Sequence, residues 1–347
     1  MSRTMLDALN TALVEAMAAN PSVIMLGEDI LDPYGGSFKV TRGLSTRFPL
    51  QVMTTPISEP ALAGVAGGMA LRGMRPVVEV MFGDFLTLMT DQIINHISKI
   101  PWMYGEQVPL PLVIRAPMGG RRGYGPTHSQ TLEKHFLGTP GLTVAAPAAL
   151  AIDGADPQQL LQRVILESQT PTLFIENKLQ YLQPVLSASD IPEMDIRVTY
   201  DPSDDARRYP VYRLTLRGAP KPGLTFTAYG FMASLAREAM LELAYQEEIF
   251  TELIIPTRLA PFDIHTLISS VKTTGKLLTI EEGGLSLGWG AEIIAQAASA
   301  APLTAFGRVA ARNLPVPASP ELERVVLPQT ADIIAAARRV FRGGDHA

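Results

Sequence analysis

Along the first half of the chain, short apolar runs alternate with stretches in which apolar residues recur at helical spacing. Residues 4–19 place Leu6, Leu9, Leu13 and Met17 three or four positions apart, the repeat of an amphipathic helix. VIMLGED (23–29) is a short apolar run that ends in acids. A glycine-rich stretch, 54–75, precedes PVVEVMF, and a helical LTLMTDQIINHISKI leads on to PLPLVIRAP. LTVAAP, a helix around 156–168 and PTLFIEN complete this set. Continuous apolar runs separated by helical patterns predict parallel strands covered on both faces.

Residues 186–215 break the rhythm. They are polar, rich in Asp and Pro and weakly periodic, and they read mostly as a linker with room for one edge strand. A second unit then begins with LTFTAYG, the helix FMASLAREAMLELAYQ and ELIIPTRLAPFD. It continues through a helix at 264–274, KLLTIEEG and a helix after Gly290, and closes with NLPVPASPELERVVLP and a final helix, TADIIAAARRVF. The expected fold class is α/β, two doubly wound domains over 1–185 and 216–347.

Composition narrows the function classes. The 347 residues suffice for two cores, and 47% are apolar against 18% charged. A formal charge of −5, with no basic block, argues against nucleic-acid or anionic-membrane binding. The absence of cysteine excludes disulfides, thiolate metal sites and cysteine nucleophiles, and it fits a cytoplasmic protein. The N-terminal pattern carries Asp7 and Glu15, unlike a signal peptide. The apolar IIAQAASAAPLTAF is too short for a membrane span and is broken by Pro302. With no HExxH and no histidine pair at ligand spacing, a metal held by this chain alone is not expected.

Candidate chemistry starts at Glu59, in TPISEPALAGVAGGMALRGMRP. Two readings stay open: a first-turn helix acid favoured by the helix dipole, with Ser58 near the N-cap, or a functional carboxylate. Three glycines at 64, 67 and 68, each costing roughly 1 kcal/mol against Ala inside a helix, call for close approach of a partner or ligand. Phe85 follows a strand end, where open parallel sheets bind ligands, but an isolated aromatic is more often a core residue, and only company would make it a stacking platform. MGGRRGYGPTHSQ (118–130) is a polar glycine-rich loop ending near His128, either a solvated histidine or a proton carrier. GED either bounds a pocket or stops a strand. EEGGLSLGWGAE (281–292) reads as a structural turn with exposed acids.

Taken in order, GED, TPISE, AGVAGGMALRGMRPVVEVMF, DQIINHISK, GPTHSQ, PGLTVAAP, TLFIENK, TIEEGG and GWGAE span Met5 to Phe341. The set resembles the beta subunit of a thiamin-diphosphate-dependent 2-oxoacid dehydrogenase, the decarboxylating component of pyruvate, branched-chain or acetoin dehydrogenase complexes. The resemblance implies a thiamin pyrimidine-binding domain followed by a transketolase C-terminal-like domain. It also implies a separate alpha subunit that supplies the diphosphate and Mg2+ site in an α2β2 assembly, with a lipoyl or other acyl-carrier domain as acceptor. By the same resemblance, Glu59 hydrogen-bonds the pyrimidine nitrogen para to the amino group and favours the imino tautomer. Phe85 stacks on the aminopyrimidine, Ile57 walls the pocket, and Glu28 lies near the pocket or the subunit boundary. His128 faces substrate and helps acyl transfer to the lipoyl group.

Three departures from the family pattern stand out. WMYGE (102–106) replaces a turn of small residues. VILESQTP replaces an Asp/Asn pair at a monovalent-cation site, which would fall near Leu112, Val164, Ile165, Glu167 and Gln169, and speaks against K+. Arg121 and Arg122 stand where relatives have small residues and could recognise a phosphate or carboxylate, contact the partner subunit, or face solvent. The arginines and WMYGE keep a second reading open, a ketol-transferring variant that loads a two-carbon unit from a ketose phosphate onto a carrier protein. A third is a non-catalytic scaffold that retains the fold.

Overall fold

The structure, a computed structural model, describes residues 3–204, 206–262 and 264–343. Helix α1 (Met5–Ala19) opens with a capping box in which Thr4 and Asp7 satisfy each other's backbone amides, and it buries Leu9, Leu13 and Met17. The first sheet then takes up β1 (Val23–Gly27), β2 (Val52–Thr54), β3 (Arg75–Glu79), β4 (Val113–Met118), β5 (Thr143–Ala145) and β6 (Thr172–Asn177). Helix α2 (Glu59–Leu71) and α3 (Leu86–Asp91), continued by a π-helical turn at Gln92–Ile97, lie between these strands in sequence; α4 (Pro157–Glu167) precedes β6.

The apolar runs form the strands because both faces are covered: all six residues of β4 are buried. One face packs against α1 and α4, through Leu9, Leu13, Leu161 and Phe174. On the other face, Leu62, Ala66, Met89 and Ile93 from α2, α3 and the π turn join Val78 and Ile114.

The second sheet contains β7 (Met194–Tyr200), β8 (Pro210–Leu216), β9 (Leu224–Ala228), β10 (Thr251–Pro256), β12 (Lys276–Gly284) and β13 (Ala305–Ala311). Its order is β13-β12-β9-β10-β8-β7. Strand β11 (Arg258–Ala260) leaves this unit to pair antiparallel with β5, so the first sheet runs β11-β5-β6-β4-β3-β1-β2. Five helices complete the second unit: α5 (Met232–Glu247), α6 (His265–Thr274), α7 (Trp289–Ala300), α8 (Pro320–Val326) and α9 (Thr330–Phe341). One apolar cluster joins the units, with Ile114 and Val144 in the same core as Tyr229, Ile254 and Trp289.

Two sequence expectations are corrected here. Residues 186–215, read mostly as linker, supply both antiparallel strands at one edge of the second sheet, with β8 pairing β7 on one side and β10 on the other. Their half-buried alternation, as in MDIRVTY, gives a weaker signal than a fully buried strand. Two of the three acids of EEGGLSLGWGAE are not exposed: Glu281 is 0% and Glu282 is 4% accessible, while Glu292, in the first turn of α7, is exposed as expected. Glu281 accepts from the Gly290 amide (2.9 Å) and the Arg308 guanidinium (3.1 Å), while Glu282 accepts from the Gly120 amide (2.7 Å) and Asn177 (3.2 Å).

Candidate active site

Four neighbouring parallel strands deliver the chemistry to one edge of the first sheet. Strand β1 ends at Gly27 and hands over Glu28; β3 ends at Glu79 and leads to Phe82 and Phe85. Strand β4 ends at Met118 and opens the loop to His128, and β6 ends at Asn177 just before Lys178. Carboxyl edges of parallel sheets are where such folds bind ligands.

Glu28 is buried and accepts a 3.1 Å hydrogen bond from the Ser58 amide. The Ser58 hydroxyl makes no cap bond, so the Glu28 carboxylate serves the N-cap amide as a capping-box acid would. Burial, and then the charge of Glu59, push the Glu28 pKa up, with the Ser58 amide pulling the other way. Glu59 begins α2 and is only 6% exposed, yet its carboxylate receives no hydrogen bond from the described residues. Ile57, two positions earlier, is 78% exposed. A largely covered acid whose oxygens no donor among the described residues serves, beside a bare apolar side chain, is an incomplete binding surface.

Helix α2 divides its glycines. A Cβ at Gly67 would come within 3.3 Å of Ile97, whereas Gly64 and Gly68 face open space. Val65, on the same helix, is 53% exposed, and Trp102, Met103 and Tyr104 of the WMYGE stretch are also exposed. The small residues thus pack inward at one position and leave a low outer surface at two others.

Phe85 and His128, far apart in sequence, meet. Their ring centroids are 5.4 Å apart at 80°, and Phe82 lies 4.8 Å from His128 and 6.0 Å from Phe85, all in edge-on arrangements. Tyr124 joins by its contact with Phe82 at 5.7 Å. The Thr127 hydroxyl lies 2.9 Å from His128 Nδ1 and sets the ring's orientation.

Lys178, which sequence reasoning missed, underlies this cluster. Its side chain is fully buried, its ammonium donates to the His128 carbonyl, and it sits 5.1 Å from the Phe82 ring and 5.6 Å from that of Tyr124. Burial lowers its pKa to about 8, although Asp84 and Glu282 act in the opposite direction. The available signal was a lysine set directly after a buried strand, in TLFIENK. Asp84 braces the far side of the loop by accepting from the Gln130 amide (3.1 Å) and side chain (2.9 Å).

The two loop arginines part company. Arg121 turns into the second domain: its amide donates to Glu323 (2.6 Å), its guanidinium to the Pro328 carbonyl, and it stacks over Phe231 at 5.3 Å. Gly119 and Gly120 permit this approach; a Cβ on Gly120 would lie 2.5 Å from Leu327, and one on Gly119, where φ is +96°, would lie 2.6 Å from Asn177. Arg122 stays on the loop, over Tyr124 at 5.7 Å. A two-arginine clamp on one anion is therefore not assembled.

Around the candidate cation position, Leu112, Val164 and Ile165 are buried, and protein donors serve the nearby carbonyls. Arg75 donates to the carbonyls of Ile165 (2.6 Å) and Ser168 (2.5 Å), Arg208 to that of Glu167 (3.2 Å), and backbone amides to those of Leu112 and Gln169. Among the described residues, no group of three or more His, Asp or Glu side chains could hold a metal ion. Nor is any described helix long and apolar enough to cross a membrane.

Comparison with known proteins identifies the two domains. Residues 1–183 match the family described as the transketolase pyrimidine-binding domain, and residues 216–333 match the transketolase C-terminal domain. The acetoin:2,6-dichlorophenolindophenol oxidoreductase subunit beta of Cupriavidus necator is 34% identical, over 98% of this chain and 97% of that one. The mitochondrial pyruvate dehydrogenase E1 component subunit beta-2 of Oryza sativa subsp. japonica is 33% identical, covering 97% and 85% respectively. The pyruvate dehydrogenase E1 component subunit beta of Rhizobium meliloti is also 33% identical, covering 97% and 69%. A solved structure described as a split-gene transketolase, inactive beta4 tetramer, shares the fold with a TM-score of 0.74 at 22% identity, over 97% of this chain and 98% of that one.

Proposed function

Because the chain belongs to the transketolase-like beta subunits of thiamin-diphosphate-dependent 2-oxoacid dehydrogenases, we propose that its sheet edge forms the pyrimidine half of the active site, completed by an alpha subunit. The observation that carries this reading is Glu59, a buried carboxylate without a donor at the start of α2. A pyrimidine ring nitrogen that shares a proton with that acid would supply the missing partner, so these residues fit the cofactor. Glu28 fixes the Ser58 amide and with it the first turn from which Glu59 projects. Ile57 and Phe85 offer apolar surface to the ring.

Thiamin diphosphate, when bound, supplies the nucleophilic carbon and the electron sink for decarboxylation. This chain's work is orientation and proton handling: Glu59 holds a proton at the pyrimidine nitrogen. His128, held by Lys178 and Thr127, faces the substrate side and moves a proton during acyl transfer to the lipoyl group. Mg2+ and the diphosphate fall to the alpha subunit in an α2β2 assembly, whose docking surface on this chain includes the outer face of α2 and Trp102–Tyr104. The ketose-phosphate reading is left with Arg122 and the WMYGE departure, because Arg121 is engaged in the second domain.

The test uses the chain assembled with its alpha subunit. Glu59→Gln preserves shape but not ionisation, and is expected to lower 2-oxoacid turnover by about 100-fold or more; unchanged turnover would refute the role. Parallel assays with pyruvate, branched 2-oxoacids and xylulose 5-phosphate separate the donors, and turnover of the sugar alone would overturn the dehydrogenase reading.

A further inference from the structure

A second concave site lies in the C-terminal unit, away from the edge that carries Glu59 and His128. It is a cleft of about 370 Å3 between the end of β13, helix α8 and the first turns of α9, and Arg308, Arg312, Arg324 and Arg339 line it. Asp332 is the acid among the lining residues, and its carboxylate is engaged in the capping box that starts α9. Arg308 is tied to Glu281 and to the Leu285 carbonyl, and Arg324 makes a loose 3.9 Å exposed pair with Glu321. The guanidinium groups of Arg312 and Arg339 form no hydrogen bond or ion pair with any described residue. Four arginines around one concavity repel one another, and the fork of each matches phosphate or carboxylate oxygens.

We propose that this cleft binds a small polyanion, a phosphorylated or polycarboxylate metabolite. Its volume falls within the range of small-molecule sites. Charge and concavity come together at it, whereas a flat basic surface would offer charge alone.

The wall of the cleft also touches the His128 loop. Helix α8 presents Arg324 and Val325 to the cleft, while Glu323 of the same helix accepts from the Arg121 amide, and Pro328 just beyond it accepts from the Arg121 guanidinium. An anion gripped by Arg324 and its neighbours would steady the segment that anchors Gly120 and Arg121.

The experiment is titration of the full chain, without an alpha subunit, with pyrophosphate and with citrate by calorimetry, alongside Arg312→Gln/Arg339→Gln. Saturable binding to the native chain is expected, at least about tenfold weaker in the double variant and weaker as salt rises. Because both arginines are exposed and unpaired among the described residues, the variant should melt with the native chain, so loss of binding would not reflect misfolding. Hydrogen exchange at the Gly120 and Arg121 amides should slow on addition of the anion. No binding of either anion, or equal binding by the double variant, would overturn the site. Tighter capture of a poly-glutamate peptide than of either small anion would overturn the small-molecule assignment. Binding without slowed exchange would overturn the link to the loop.

Discussion

Replacing Lys178 by Met separates what this residue costs the fold from what it does for the site. The ammonium has no exposed surface, and burial brings its pKa from 10.5 to about 8. That difference corresponds to about 3 kcal/mol against the charged form in the folded chain. The sign follows from proton counting. Below pH 8 the lysine is charged in both states, and the full cost is present. Between pH 8 and 10.5 the folded chain releases its proton first, the unfolded chain binds more, and stability rises with pH. From pH 7 to 9.5 the native chain should therefore gain about 2 kcal/mol relative to Lys178→Met, which has nothing to titrate. Urea unfolding of both chains at the two pH values measures this difference, and all shared titrations cancel in it. In the complex with the alpha subunit, the same variant should lose roughly tenfold or more in kcat, because the His128 carbonyl loses its donor and the ring its fixed position. Parallel stability curves would show that the amine is not buried as a charge; full activity would show that His128 does not depend on it.

Two further changes test the interior. Arg115 is fully buried and forms a bidentate pair with Glu176 (2.8 Å and 2.8 Å) plus a bond to Glu79 (2.7 Å), while the Tyr181 hydroxyl donates to Glu176 (2.6 Å). Arg115→Met leaves two buried carboxylates uncompensated and should lower unfolding free energy by about 3–5 kcal/mol, read from the urea midpoint. Glu133, buried and bonded to the Tyr229 hydroxyl at 2.6 Å, has its pKa raised from 4.5 to about 7, first by burial and then by Glu281 and Glu282 against the pull of that bond. Its ionisation costs nothing below pH 4.5 and the full amount above 7, so the native chain should lose about 3 kcal/mol relative to Glu133→Gln between pH 4.5 and 7.5; a constant gap would contradict the buried acid.

What the sequence revealed and what it concealed divide by the range of the interaction. The parallel sheets were legible because burial on both faces leaves unbroken apolar runs such as VIRAPM and TLFIEN. Glu59 and Phe85 stood out by position, one opening a helix and the other following a strand. Strands β7 and β8 were hidden because Asp and Pro flank a half-buried edge. The fates of Arg121, Glu281 and Glu282 were not legible at all. Arg121 finds partners 202 and 207 residues away, and Glu282 meets an amide 162 residues away. No local period carries such pairings. Arg75 is similar: it follows a glycine turn like any solvated arginine, yet it closes carbonyls at the C-terminal end of α4.

The pairing of Glu28 with Glu59 explains why half a site should look as it does. Two acids share the entrance to α2, and the single Ser58 amide serves only Glu28. In the isolated chain, water still reaches this edge beside the bare Ile57 side chain. In the proposed assembly, the alpha subunit removes that water, and two neighbouring carboxylates losing solvent together cannot both stay charged cheaply. A proton must then be held among Glu28, Glu59 and the ring nitrogen facing Glu59. Glu28, whose pKa burial and the neighbouring Glu59 charge already raise, is placed to take one. Its protonation would leave Glu59 as the anion opposite the heterocycle. On the proposed reading, an acid that no donor among the described residues serves at the start of α2 is where the chain waits for both the heterocycle and the alpha subunit, which would tie catalysis to assembly.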